Sequence, residues 1–168
     1  MAKAGIVAFA FGVPANIRSN NLIAQIAANK ALSLKAPVFT HLDIQFSKSD
    51  YGVIDVERIK EEEPDYPPST LQIARAAVDW ARQRGIRELW IVAAVPHVWR
   101  CERDLKYAVS GVNASIKIQV CGEIKRHKDD LWFDPKSFQP RTRSSSKWWR
   151  REIILRILPM FLYERLTD

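Results

Sequence analysis

The stretch Arg87–Tyr107, RELWIVAAVPHVWRCERDLKY, decides the fold. Leu89–Val95 is an unbroken apolar run of a length that suits a strand buried on both faces, as in a parallel sheet. Pro96 ends the strand and is suited to open a helix, because its missing N–H has no partner in a first turn anyway. The chain therefore switches from strand to helix at His97. In an open parallel sheet that junction lies at the carboxyl ends of the strands, where ligands bind and where a first helical turn offers free N–H groups. His97, Arg100 and Asp104 are spaced by three and four and share one stripe, beside an apolar stripe of Val98, Cys101, Leu105, Ala108 and Val109. A polar row next to a core row is the pattern expected of a pocket wall.

Outward from this stretch, strands and helices alternate. Ala4–Phe11 is a continuous apolar run and reads as the first central strand. The turn-rich loop from Gly12 to Ser19 follows, then a helix from Ser19 to Leu34 with apolar positions Leu22, Ile23, Ile26, Ala27 and Leu34. The loop lacks the glycine pattern of a dinucleotide fingerprint or a P-loop. Gly12, Asn16 and Arg18 are candidates to line a ligand site there, while Ser19 or Asn20 reads as the helix cap. Pro37–Phe46 alternates Val38, Leu42, Ile44 and Phe46 with Phe39, His41, Asp43 and Gln45, giving one apolar and one mostly polar face. His41 and Asp43 would point the same way and could bind a metal or share a proton, but without a third ligand at recognisable spacing the polar face reads as solvent-exposed.

A short strand is expected at Val53–Val56, ahead of the acidic turn Glu61–Asp65. Ser69 and Gln72 match a capping box for a helix carrying Leu71, Ala74, Val78 and Ala81 on its core face, and Gly85 suits its left-handed end. Ser115–Cys121 alternates as a peripheral strand should. The whole reads as one α/β domain with a mainly parallel sheet of about five strands and helices on both faces.

The long segment 122–146 is basic and aromatic. Between Gly122 and Arg151 nine Lys or Arg stand against four acids, most of the net charge of +7 on 168 residues. A loop of more than about fifteen residues in a compact domain is usually a lid, a binding loop or disordered. Trp132, Phe133 and Phe138 argue against disorder, because they need something to cover. A last helix over 146–166, capped within Ser144–Lys147 and kinked at Pro159, would pack on the sheet through Trp149, Ile153, Ile157 and Phe161. Its apolar residues lie nearly all round, which favours burial in the domain or a dimer over a membrane surface.

At 47% hydrophobic and 27% charged residues the composition is that of a globular chain. Two cysteines make neither a disulfide framework nor a metal pattern and fit a reducing cytoplasm. The start, Lys3 followed by AGIVAFAFGVPA, loosely imitates a signal peptide. It is too short to span a bilayer and reads as a strand, so a cytoplasmic protein with no membrane span is expected.

Three features together resemble the SanA and YdcF-like family of small α/β proteins. An apolar strand runs into a helix through His97 with Arg100 three positions on; Ser69-Thr70 opens the preceding helix; and the closing helix has an acidic residue, Glu152, near its start. The chain departs from the family in having Thr70-Leu71-Gln72-Ile73 where Thr-x-Glu-Asn is usual, and in lacking a glycine pair between Phe46 and Gly52. The resemblance implies a Rossmann-like three-layer fold with a pocket at the carboxyl ends of the strands. It also implies Ser69 and Thr70 in that pocket, S-adenosylmethionine as a possible ligand in one branch, and envelope roles in membrane-anchored branches.

The leading expectation is a small anionic or nucleotide-like ligand. His97 would hydrogen-bond or shuttle a proton, Arg100 would grip a carboxylate or phosphate, Asp104 would hold Arg100, and Arg18 would approach from the first loop. Enzyme status is open. One alternative is a nucleic-acid-binding module using segment 122–151, with Trp132, Phe133, Trp148 and Trp149 as stacking surfaces. Another is a noncatalytic protein that dimerises through the last helix.

Overall fold

The computed structural model describes residues 3–47, 49, 52–59 and 68–167. Five strands form one all-parallel sheet in the order β3-β2-β1-β4-β5: β1 (Ala4–Ala8), β2 (Val38–Thr40), β3 (Val56–Arg58), β4 (Glu88–Val92) and β5 (Lys117–Val120). Successive side chains on a strand face opposite sides. Ile6, Ala8, Val38 and Val92 therefore meet α1 (Arg18–Leu34) on one face, whereas Val7, Phe39, Leu89 and Ile91 meet α2 (Thr70–Gln83) and α3 (Val95–Gly111) on the other. The result is a three-layer α/β sandwich. The expected strand at Val53–Val56 begins three residues later, and the acidic turn at Glu61–Asp65 lies outside the described residues.

Local chemistry explains most boundaries. Ser69 accepts from the Gln72 N–H while the Gln72 side chain accepts from the Ser69 N–H, so the capping box is complete. Gly85, with φ of +65°, turns the chain after α2. Two expected caps are not caps. Ser19 and Asn20 lie inside α1 and clamp the loop after β1: Ser19 Oγ donates to Phe11 O, and Asn20 accepts from Phe11 N–H and donates to Gly12 O. The N-terminus of α1 is closed instead by Asp134, whose carboxylate accepts from Arg18 N–H at 2.9 Å. Ser144 sits at the N-cap of the last helix, but its hydroxyl contacts Ser146 and not the backbone of the opening turn.

Segment 122–146 is ordered as a plug. Three 3-10 turns, Gly122–Arg126, Asp129–Trp132 and Pro140–Thr142, carry Ile124, Trp132 and Phe133 into the core on the α1 side. Trp132 and Phe133 are buried, as expected of aromatic residues that cover a core, whereas Phe138 is 71% exposed. Pro159 divides the last helix completely, into α4 (Ser145–Ile157) and α5 (Met160–Thr167), with Leu158 extended between them. The buried row of α4 is Trp148, Glu152 and Leu155; the expected row Ile153, Ile157 and Phe161 faces outward, and Trp149 is half-buried against Arg156. An apolar reading of the periodicity could not find a buried row that includes a carboxylate.

The α4–α5 arm is tied down by Asp104. This fully buried carboxylate takes two hydrogen bonds from Arg103 at 3.0 Å and one from the Tyr163 hydroxyl at 2.7 Å, while Arg103 also donates to Leu155 O and stacks on Tyr163. Among the described residues no helix is long and apolar enough to cross a membrane, and Cys101 and Cys121 are free and buried.

Candidate functional site

β1 is central, and the chain passes from it to β2 and β3 on one side before crossing to β4 and β5 on the other. Ligands in open α/β sheets bind where the strand order reverses, outside the carboxyl ends of the strands. A pocket of about 240 Å³ lies there. Its floor is Phe9–Gly12 after β1, with His41 and Asp43 after β2 and His97 and Arg100 on α3; Ser69 and Thr70 open α2 beside them. The remaining wall comes from the C-terminal third: Gln139, Arg141 and Thr142 in the plug, Trp148, Arg151 and Leu155 on α4, and Tyr163 and Leu166 on α5.

His97 is 5% exposed, and its position is fixed from three sides. Pro96 O accepts from Trp148 Nε1 at 3.2 Å, and the Trp148 ring stands edge-on to the imidazole at 5.4 Å. Arg100 Nη2 lies 3.1 Å from His97 Nδ1. A guanidinium can only donate, so Nδ1 accepts and the proton of the neutral ring is on Nε2, which faces Thr70 Oγ1 at 3.5 Å. The basic nitrogen is thus occupied, and His97 presents an N–H. Burial, with Arg100 and Arg141 next, holds its pKa well below the ordinary 6.5.

That shift has a measurable consequence. The unfolded chain protonates His97 on passing below about pH 6.5 while the folded chain does not, so stability is complete above that pH and falls as the pH drops below it. Urea midpoints taken between about pH 7.5 and about pH 5.5 should decline more steeply for the native protein than for His97→Gln. Equal slopes would mean that the imidazole is not held neutral.

The described lining residues carry three arginines, Arg100, Arg141 and Arg151, against one carboxylate, Asp43. Glu152, 1% exposed, is shared between Arg100 at 3.6 Å and Arg156 at 3.4 Å. Arg141 has no hydrogen-bond or ion-pair partner among the described residues, and its Nε is buried. Burial and the repulsion of Arg151 and Arg100 push its pKa down to about 10. Asp43, the carboxylate among the described lining residues, lies 3.7 Å from His41 Nδ1, and His41 Nε2 accepts from Ala10 N–H at 2.9 Å.

The expected residues separate into two groups. His97, Arg100, Ser69, Thr70 and Gly12 do line one pocket. Gly12 contributes backbone, because at φ of +101° a Cβ would stand 2.7 Å from the hydroxyls of Ser137 and Thr142. Asp104 does not line it. Seven residues beyond His97 is about 10.5 Å down the helix, and its oxygens are committed to Arg103 and Tyr163 while Glu152 is the partner of Arg100. Arg18 and Asn16 border a different surface depression, and the Arg18 guanidinium is bound to Asp130 O and Phe133 O.

His41, expected on an exposed face, is buried, because β2 ends at Thr40 and the chain turns back over the sheet edge. No group of three His, Cys, Asp or Glu able to hold a metal exists among the described residues, so His41 and Asp43 have no third ligand there. Arg141 and Arg151 were hidden in the sequence, where only the basic surplus of the segment signalled them. Of the four aromatic residues expected as stacking surfaces for nucleic acid, Trp132, Phe133 and Trp148 are buried and Trp149 is half-buried. Comparison with protein-family models and with curated proteins finds no match.

Proposed function

We propose that this protein binds a small phosphorylated ligand in the pocket at the β1/β4 switch point, in a reducing compartment such as the cytoplasm, and that it is a SanA/YdcF-like protein. The observation that carries the reading is the surplus of cations among the described residues: Arg141 with no partner there, beside Arg151 and Arg100, with Glu152 already divided between two arginines. A phosphate dianion would give Arg141 and Arg151 the counter-charge they lack, and planar guanidinium groups bind its oxygens in pairs. The Nε2–H of His97 and the Thr70 hydroxyl are further donors at the same wall. At about 240 Å³ the pocket is at the small end of ligand sites.

S-adenosylmethionine fits this wall poorly. Its sulfonium and ammonium outnumber its carboxylate, and the pocket repels a net cation. The two ligands are separated by thermal shift at constant ionic strength, with inorganic phosphate, a sugar phosphate, a nucleoside monophosphate and S-adenosylmethionine as probes. A phosphorylated probe at one hundred times its Kd should add about 2.7 kcal/mol of stability, a rise in Tm on the order of 5–10 °C, and the effect should vanish in Arg100→Ala. Stabilisation by S-adenosylmethionine with none by any phosphate would overturn the reading.

A further inference from the structure

Nearly half of the large apolar side chains exposed among the described residues fall within fourteen positions of the α4–α5 arm: Ile153, Ile154, Ile157, Phe161, Leu162 and Leu166. On α4, Arg150, Ile153, Ile154 and Ile157 follow the i, i+3, i+4, i+7 spacing of a single face. On α5, Phe161 and Arg165 repeat at i, i+4 beside Leu162 and Leu166. The exposed charges of the arm are all positive: Lys147, Arg150, Arg151 and Arg165. Its two described acids are engaged, Glu152 with Arg100 and Arg156 and Glu164 with Arg75.

We infer that the outward faces of α4 and α5 are a docking surface for an anionic lipid bilayer. Charge selects the occupant. A second copy of the chain would bring the same cations against each other across a two-fold interface, with both described carboxylates of the arm already paired. Anionic headgroups supply that charge. Cations and aliphatic side chains alternate on one face, so each Ile, Leu or Phe can enter the acyl boundary while its neighbouring Arg stays at the phosphates, the arrangement of interfacial amphipathic helices. Trp99, 40% exposed, lies next to this arm, stacked on Arg156. Leu166 and Arg151 also line the pocket, so the docked face and the pocket share a rim. The docking surface stands independently of the ligand reading.

Co-sedimentation of the full chain with vesicles tests this. Phosphatidylcholine vesicles with about one third phosphatidylglycerol should bind at least about tenfold more tightly than phosphatidylcholine alone. Ile157→Ser/Phe161→Ser, which leaves the net charge unchanged and alters side chains 76% and 62% exposed, should lower that binding about tenfold with an unchanged Tm. Arg150→Ala/Arg165→Ala should lower it as well. Three results would overturn the inference: no binding to the anionic vesicles, full binding by the Ile157→Ser/Phe161→Ser variant, or a dimer in sedimentation equilibrium that this variant dissociates.

Discussion

Arg141→Met should lose phosphate binding and keep, or gain, stability. The native side chain carries a charge into a half-buried position, finds no acceptor among the described residues, and faces Arg100 and Arg151. Replacing it with an apolar chain of similar length removes both the desolvation cost and the repulsion, so unfolding free energy should stay level or rise by on the order of 1 kcal/mol. The same substitution deletes a charged contact to the ligand. Affinity for a phosphorylated probe should fall about 100-fold, equivalent to about 2.7 kcal/mol. Opposite signs in the two measurements are the mark of a residue kept for binding. A destabilised variant that still binds phosphate normally would make Arg141 a structural residue and remove the main support for an anion site.

Asp104→Ala should have the inverse profile. The carboxylate is fully buried, and its removal takes the ionic partner and two hydrogen bonds from Arg103 and the 2.7 Å acceptor from the Tyr163 hydroxyl. Breaking a buried charged pair from one side costs about 3–5 kcal/mol, which for a chain of this length lowers Tm by on the order of 10 °C. Tyr163→Phe, which gives up the 2.7 Å bond to Asp104, should cost about 1–2 kcal/mol. Asp104 is not on the pocket wall and Tyr163→Phe keeps the ring there, so the Kd for a phosphorylated probe, measured by calorimetry well below the melting transition, should change far less than in Arg141→Met. A large loss of affinity in Asp104→Ala, with little loss of Tm, would return Asp104 to the binding site.

The contrast between these two residues shows where helical spacing is informative and where it misleads. His97 and Arg100 lie in the first two turns of α3, which the strand-to-helix junction sends to the sheet edge. Asp104 shares their stripe but lies a further turn beyond Arg100, beneath the pocket and against α5. Spacing gives direction around a helix; depth along it depends on what packs outside. The α4 arm shows the same limit. Its apolar residues surround the helix, so no periodicity could select the buried side. The choice fell to Glu152, because arginines on two elements could satisfy its charge there.

By itself the sequence determined the alternation of buried strands and amphipathic helices, the capping box at Ser69, a strand-to-helix switch that falls at Val95, two residues before the expected His97, and the parallel sheet that these imply. Each is a local consequence of side-chain shape, backbone hydrogen bonding or hydrophobic periodicity, and needs no distant partner. Only the tertiary structure decided that Arg141 and Arg151 close the pocket, that Glu152 and not Asp104 holds Arg100, and that Ile153, Ile157 and Phe161 face outward. Those outcomes depend on which charges meet across dozens of residues of intervening chain, and electrostatic pairing at such separations leaves no period in the sequence to read.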